Sequence, residues 1–531
     1  MTSHHFSMGP KMQNGRRSRQ SRTRLSTGLL VIAAVVGLSC FTESAYAIPA
    51  FARKYQTSCT TCHAGFPKLN GVGLAFRMNG YRFAQGDEDL IKDKPLELGN
   101  DSYKDMFPNS ILPSTIPGSP PIAIEVQQLM TSYFRQPHNA PSPGPSPNFN
   151  FPTQVNLMSA GTLSKNISFW VNGGLTSGGT GYSPGVQGFN PYLERAFISF
   201  NNLFSADDEE DENGMHLAGK GLVLPKHFLN IRFGQFEPQA IAPYNSTYRA
   251  LSIANRLTST LTVGSSSFAF EPALRGIEFY GVSRNYTSWC FGFVDGAGQA
   301  VPSDNNSNKD FYGRLGHKWW GYPLDGEVVA PQKTRAKPKV EVSRSQNPDD
   351  ESSTDQTAAA ATVQDDTDPT PWVDYYRQTQ FETGIFAYTG LNAVSPLNNP
   401  FDFTSGTTGD LNRDRFQRYG VDFQWQHQDL HILGTGIYGR DSDAGTGFSI
   451  SFYSWFLEAN YYFKPWIIGY ARYEELRFQQ GSISMNNIQR MVPGVALYPI
   501  ANMAIRTEFN IDTSGNGTSP NQLLIMADYA F

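Results

Sequence analysis

The chain has 531 residues, of which 17% are charged and 13% aromatic, with 49 glycines, 34 prolines and a formal net charge of -5. Beyond the N-terminus it holds no apolar run of the ~20 residues that a membrane-spanning helix needs, which excludes a polytopic helical membrane protein. The negative charge argues against a nucleic-acid partner. This composition is typical of an all-β protein and favours a transmembrane barrel.

Residues 1–47 have the three parts of a secretory signal peptide. A basic region over residues 11–24 precedes an apolar stretch over residues 28–38, and Ala45-Tyr46-Ala47 offers a small-x-small cleavage site. We predict cleavage after Ala47; an uncleaved anchor is the alternative. Removal of this segment leaves 36 basic and 46 acidic residues, a net charge of about -10, with three cysteines. Three cysteines do not make a disulfide framework.

The sequence Cys59-Thr60-Thr61-Cys62-His63 is a C-x-x-C-H motif on the exported side of that cleavage point. The spacing lets two thiols attach one haem c covalently while the adjacent histidine ligates its iron. A zinc site would need a second ligand pair, and a thioredoxin-like dithiol would need a βαβ context. A chance match is the remaining alternative. We predict one covalent haem c on Cys59 and Cys62, with His63 as axial ligand.

Residues 48–85 form the predicted monohaem cytochrome c segment. Leu69, Val72 and Phe76 recur at helical spacing within residues 67–79, and Gly80 follows as a helix stop. A segment of this size cannot bury a core alone, so the haem and contacts from outside must hold it together.

The sixth iron ligand is left open by the sequence. Met78 is the nearest methionine to the motif and Met106 is another candidate. Thioether ligation would raise the reduction potential relative to a second histidine. A packing role for Met78 and an open or water-bound iron are the alternatives.

Residues 86–121 are a predicted linker, and residues 122–531 alternate apolar and polar side chains with the period of a strand. Val421 and Phe423, for example, flank Asp422. The pattern predicts about sixteen antiparallel strands. A soluble sandwich has the same periodicity, but its apolar face lies inside. The large aromatic faces, the terminal Phe531 and the export segment favour an outer-membrane barrel with a polar lumen.

Turns after even-numbered barrel strands are predicted to face the periplasm and to be short. Two connections on that side are long. Residues 205–228 contain the acidic run Asp207–Glu212, and residues 331–371 are a predicted disordered insertion. Each is a solvated insertion or a docking surface for a basic electron carrier.

Four residues are predicted to direct carboxylates into the lumen, where they would help retain a cation near its mouth: Asp422, Glu458, Glu508 and Asp528. Cys290, in the seventh strand, is predicted to pack in the lumen. The histidines outside the motif show no metal-ligand spacing.

Four stretches resemble the fused monohaem cytochrome c–porin family of the outer membrane. They are Phe51-Ala52-Arg53-Lys54-Tyr55, Cys59-Thr60-Thr61-Cys62-His63, Phe66-Pro67-Lys68-Leu69-Asn70 and Phe76-Arg77-Met78-Asn79-Gly80-Tyr81. The resemblance implies a haem segment bound through Cys59, Cys62 and His63, followed by a barrel. Characterised members include outer-membrane iron-oxidising cytochromes, so the resemblance also implies extracellular Fe(II) as an electron donor.

The sequence therefore predicts an outer-membrane electron-transfer protein that passes single electrons through a covalent haem c. Its expected partners are outer-membrane lipid, a periplasmic electron-carrier cytochrome and an external redox partner such as Fe(II), which would make it a ferrous-iron oxidase. One alternative is a diffusion porin with a structural or sensory haem plug. Another is a haem peroxidase, which would need an open iron site and acid–base residues nearby.

Overall fold

The computed structural model describes residues 49–94, 96–97, 115–116, 118, 120–135, 146–164, 166–176, 190–205, 223–238, 250–260, 263, 270, 273–296, 308–327, 379–394, 412–443, 447–480, 483–514 and 521–531. The predicted signal peptide and the 331–371 insertion lie outside the described residues, as does most of the predicted linker.

An N-terminal segment, residues 49–94, precedes the barrel and is called the plug. It contains helix α1 (Ala50–Tyr55), a 3₁₀ turn (Cys59–Thr61), the paired strands β1 (His63–Gly65) and β2 (Lys68–Leu69), helix α2 (Gly71–Met78) and helix α3 (Asp87–Leu90). The helix predicted over residues 67–79 begins only at Gly71, because Lys68 and Leu69 pair with the strand that contains His63. Helix α2 ends before Gly80, whose φ of 66° suits glycine.

Strands β3 (Leu96–Glu97) and β4 (Thr115–Ile116) form a separate two-stranded pair. Sixteen further strands close into one barrel, which confirms the predicted all-β fold and strand number. They are β5 (Ile122–Arg135), β6 (Asn148–Ser164), β7 (Ile167–Thr176), β8 (Asn190–Phe200), β9 (Asn230–Phe236), β10 (Leu274–Ser283), β11 (Thr287–Val294), β12 (Asp310–Trp320), β13 (Gln380–Val394), β14 (Asn412–His427), β15 (Leu430–Asp441), β16 (Ile450–Lys464), β17 (Ile467–Gln480), β18 (Ile483–Ile500), β19 (Met503–Asp512) and β20 (Asn521–Ala530).

Each strand pairs antiparallel with its chain neighbours, and β20 pairs with β5 to complete the ring. Helix α4 (Leu257–Thr260) lies in the connection between β9 and β10. Among the described residues, no helix combines the length and apolar character needed to cross a membrane.

The barrel has an apolar outer face and a polar inner face. On β14, Tyr419 and Val421 are 48% and 58% exposed, whereas Arg418 and Asp422, which flank them, are 2% and 5% exposed. Ionic side chains are thus buried and large apolar side chains are outside, the reverse of a soluble sandwich. A closed barrel of this kind leaves no sheet edge unpaired in lipid, and it places the protein in the bacterial outer membrane.

The two ends of the barrel differ in their connections. Tight turns at 284–286, 428–429 and 465–466 share one end with Phe531 and with the start of β5. This is the periplasmic end by the usual orientation of such barrels, and the strand ends that flank the long connections 201–229 and 321–379 lie on the same side, as predicted. Most connections at the opposite end are long; the two-residue link 481–482 is an exception.

Candidate haem-attachment site in the plug

The C-x-x-C-H motif forms a single compact turn. Ser58 Oγ accepts a hydrogen bond from the Thr60 amide at 3.3 Å, and the Cys62 amide donates to the Cys59 carbonyl at 3.3 Å. Both cysteines are half-buried free thiols. The turn therefore presents two thiols and the histidine that follows them within five consecutive residues.

Asn70 joins this turn to helix α2. Its Nδ2 donates to the carbonyl oxygens of Thr60 at 3.2 Å and Thr61 at 3.0 Å, while its Oδ1 accepts from the Gly73 amide at 2.9 Å. The Asn70 backbone amide also donates to the Cys62 carbonyl at 2.9 Å. No role for Asn70 is predicted from the sequence, although asparagine before a helical stretch is a recognisable N-cap.

Gly73 lets the helix approach the turn closely. A Cβ at this position would lie 2.2 Å from the Cys62 carbonyl oxygen, well inside van der Waals contact. Only glycine fits here without movement of the backbone. The first turn of α2 and the cysteine-bearing turn are consequently packed backbone against backbone.

His63 is oriented by its Nδ1, which donates to the Pro67 carbonyl oxygen at 3.1 Å. Because a carbonyl only accepts, this contact assigns the proton to Nδ1 and leaves the Nε2 lone pair for a metal. Burial lowers the pKa of His63 to about 4, so the imidazole is neutral at pH 7. The ring also lies 5.4 Å from the ring of Phe66, between centroids.

The donor set fits a covalently attached haem c. Burial raises the pKa of Cys59, and it raises the pKa of Cys62 to about 12, so both thiols are protonated at neutral pH. Protonated thiols disfavour a redox dithiol, which reacts through a thiolate. Among the described residues, no group of three His, Cys, Asp or Glu side chains is placed to hold a metal ion. Cys59 and Cys62 would attach the haem, and His63 would ligate its iron.

Met78 lies on a different face of α2 from the residue that meets the cysteine-bearing turn. Gly73 faces Cys62, and five residues of helix turn Met78 about 140° away from that face. Met78 instead lines a cavity of about 60 Å³ with barrel residues that include Cys290 and Arg314. For Met78, a packing role is thus better supported than a role as the sixth iron ligand. Met106 lies outside the described residues.

An aromatic cluster in the plug continues into the barrel wall. Phe51 stacks on Tyr81 at 5.6 Å and meets Phe76 edge-on at 5.1 Å, and Tyr81 lies 5.2 Å from Trp170 of β7. The plug therefore lies inside the barrel and shares its core. The small segment thus shares its apolar core with the barrel.

Polar contacts hold the plug at the periplasmic end. Tyr498 near the end of β18 donates to the Phe66 carbonyl at 3.1 Å. Arg53 donates to the carbonyl oxygens of Pro120 at 3.0 Å and Ile122 at 2.6 Å. The cysteine turn is thereby seated near the mouth that opens to the periplasm.

Both long periplasmic connections also contact the plug. Asn79 donates to the Asp325 carbonyl at 2.5 Å, and Lys226 donates to the Ala84 carbonyl at 3.2 Å. Glu327 links the connections to each other, since its Oε1 lies 3.0 Å from Lys226 Nζ and 3.3 Å from His227 Nε2. The nearby His227 ring and the Lys226 ammonium lower the pKa of Glu327 to about 2. We call these three side chains the latch.

A segment from the opposite side, residues 250–260, folds into the lumen. Glu508 accepts from Ser252 Oγ at 2.9 Å, the Ile253 amide at 2.8 Å and the Ala254 amide at 2.6 Å. Arg256 pairs with Glu458 at 2.9 Å.

The plug approaches Glu458 as well, from the periplasmic side. Lys68 is 4% exposed and lies close enough to interact electrostatically with Glu458. Burial, against the opposing effect of Glu458, lowers the pKa of Lys68 to about 7. The plug and the 250–260 segment thus converge at Glu458 within the lumen.

The four predicted lumen carboxylates do face inward, but each is already engaged. Asp422 pairs with Arg314 at 2.7 Å and Asp528 with Arg506 at 2.8 Å. Glu458 and Glu508 bind the 250–260 segment. Their suggested role in retaining a cation near the mouth is therefore not supported. Cys290 is buried in the lumen, as predicted.

No family model and no curated protein matches this chain. Several solved barrels are similar at low identity. OmpT, an outer membrane protein of Vibrio cholerae, is 10% identical with a TM-score of 0.45, covering 77% of this chain and 98% of that chain. The outer membrane channel DcaP of Acinetobacter baumannii is 8% identical with a TM-score of 0.42 (77% and 96% covered). An anion-selective porin from Comamonas acidovorans is 11% identical with a TM-score of 0.43 (77% and 98% covered).

At these values the similarity says nothing about a shared activity. The resemblance to cytochrome–porin fusions and the haem itself remain predictions.

Proposed function

We propose that this protein is an outer-membrane electron conduit whose plug carries one haem c on Cys59 and Cys62, with His63 as axial ligand. The observation that carries the proposal is the location of this turn, in a plug that lies inside the barrel near its periplasmic end. A haem c bound there would supply a reversible one-electron Fe(III)/Fe(II) couple.

The chain's own residues insulate the two sides of the membrane from each other and hold the haem-binding residues in position. A lipid-facing wall ~25 Å tall separates the two sides of the membrane. Pro67 fixes the His63 ring, and Asn70 fixes the turn that bears both cysteines. An external donor such as Fe(II) loses one electron and a periplasmic carrier gains one, so the transfer needs no general acid or base.

A second candidate is a diffusion porin whose haem plug is structural or sensory. The closed sixteen-strand barrel with a charged inner face favours it. The plug and the 250–260 segment oppose it, because they meet at Glu458 within the lumen. A haem peroxidase is the weakest candidate, since in the described part of the chain the His63 ring contacts the Pro67 carbonyl and the Phe66 ring, and neither is a general acid or base.

The deciding experiment uses liposomes that contain the full protein and enclose an oxidised electron acceptor. Fe(II) is added outside, and the haem and acceptor absorbances are followed together. Reduction of the haem and then of the acceptor, absent in the Cys59→Ser/Cys62→Ser variant, is the expected result. If the haem is reduced only by another impermeant donor, the proposal of an electron conduit stands, but Fe(II) is not its donor.

Two other outcomes would favour the competing candidates. Solute leakage without any response to external donors would identify a porin. Rapid binding of carbon monoxide or cyanide by the haem, together with peroxide turnover, would identify an enzyme.

A further inference from the structure

Two buried carboxylates meet at the end of the lumen opposite the plug. Asp414 is the third residue of β14 and Asp441 the last residue of β15, at the end where most connections are long. Both are 0% exposed, and the two carboxylates lie close enough to interact electrostatically. Two ionised carboxylates at this separation repel strongly when water is excluded.

The charge of Asp441 is balanced, but the charge of Asp414 is not balanced within the described residues. Asp441 forms an ion pair with Arg418, with Nη1 2.8 Å from Oδ2. Asp414 accepts hydrogen bonds only on Oδ1, from Ser442 Oγ at 3.3 Å and the Asp443 amide at 3.0 Å. Its Oδ2 is buried and receives no hydrogen bond from any described residue. A buried carboxylate oxygen without a donor is costly unless a cation binds it.

The surroundings supply further oxygen atoms and a short route to solvent. Asn392, 1% exposed, is the cross-strand neighbour of Asp414 on β13, and its carboxamide can provide a third oxygen. Ser442, which bonds to Asp414, is itself exposed. Carboxylate and carboxamide oxygens are the ligands that Mg²⁺, Ca²⁺ and Mn²⁺ prefer, and water completes their coordination.

We propose that Asp414 and Asp441, with Asn392 beside them, form a divalent-cation site just beneath the outer rim of the lumen. The cation belongs to the hard, oxygen-preferring class. A bound dication compensates Asp414 and removes the repulsion between the two carboxylates. The site does not depend on the haem, because it lies at the other end of the barrel.

The test measures binding of Mn²⁺ to the full protein in detergent, from the loss of the electron paramagnetic resonance signal of free Mn²⁺. We expect one Mn²⁺ per barrel and at least about tenfold weaker binding in Asp414→Asn, since affinity follows the number of charged ligands. The matched control is Asp310→Asn at the same rim. Asp310 already accepts from Tyr388 Oη at 3.0 Å and the Leu391 amide at 3.2 Å, so its loss should leave Mn²⁺ affinity unchanged.

Thermal stability provides a second measurement. Without metal, Asp414→Asn should melt above the wild type, because the carboxylate repulsion is gone. Mn²⁺ should raise the melting temperature of the wild type by mass action but not that of Asp414→Asn. Mn²⁺ binding that is absent in the wild type, or equally strong in Asp414→Asn, would overturn the proposal and leave a pair that merely shares a proton.

Discussion

Asn70 donates its side-chain amide to the Thr61 carbonyl at 3.0 Å while the same side chain caps helix α2. One residue thus couples the start of the helix to the turn that bears both cysteines. Since Pro67, which orients His63, lies three positions earlier, disturbance of Asn70 should reach all three predicted haem-binding residues.

Substitutions at Asn70 can separate its two roles. Asn70→Ala removes the cap and both donated hydrogen bonds, and loss of an N-cap alone costs about 0.5–2 kcal/mol. Asn70→Asp keeps the capping oxygen and loses only the donors. We expect the yield of covalent haem per purified chain to fall most in Asn70→Ala and less in Asn70→Asp. Equal yields in all three proteins would show that the turn does not need this support.

Gly73 and Gly71 form a matched pair within α2. A methyl group at Gly73 meets the Cys62 carbonyl at 2.2 Å, whereas at Gly71 the nearest atom is the flexible Gln380 side chain at 3.3 Å. Gly73→Ala should therefore destabilise the plug by about 1–3 kcal/mol through overpacking. Gly71→Ala should be neutral or slightly stabilising, because alanine favours the helix. Limited proteolysis of the plug distinguishes them; similar cleavage rates would contradict the close packing.

The alternation of apolar and polar side chains made the barrel predictable from the sequence. In the plug, Gly80 correctly predicted where helix α2 ends. Val421 and Asp422 point to opposite faces wherever the strand is placed, so strand number and burial follow from local sequence. The start of α2 was missed because β1–β2 pairing competes with the helical pattern at Leu69. The inward fold of 250–260 and the Asp414–Asp441 pair depend on partners distant in sequence, and no local pattern reports such contacts.

Met78 provides a direct test of the sixth ligand. Its place on α2, about 140° from the face that meets Cys62, predicts that Met78→Leu leaves the haem absorption spectrum and midpoint potential unchanged. A volume-conserving change of this kind should cost under about 1.5 kcal/mol. A fall in potential with a changed spectrum would restore Met78 as an iron ligand, since thioether ligation raises the potential.

The latch predicts an acid-sensitive plug. The pKa of Glu327 is about 2, against 4.5 for an ordinary glutamate, so its stabilising effect is complete above about pH 4.5 and is lost as the pH falls towards 2. Protease cleavage of the plug should accelerate over this interval in the wild type and depend less on pH in Glu327→Gln. Glu88→Gln is the control, because Glu88 forms an exposed pair with Arg82 that contributes little. Identical pH profiles for wild type and Glu327→Gln would show that the latch does not stabilise the plug.

Glu508 holds the 250–260 segment in the lumen, so its charge should control the passage of ions. Its carboxylate accepts three hydrogen bonds from that segment, and each bond to a charged group is worth about 1.5–3 kcal/mol. Glu508→Gln weakens all three, and conductance in planar bilayers should rise several-fold as the segment leaves the lumen. Asp422→Asn removes a lumen carboxylate that pairs with Arg314 on the wall, and conductance should stay near the wild-type level. If both variants raise the conductance equally, lumen charge rather than the segment controls the flow. If neither variant raises it, the plug alone closes the barrel.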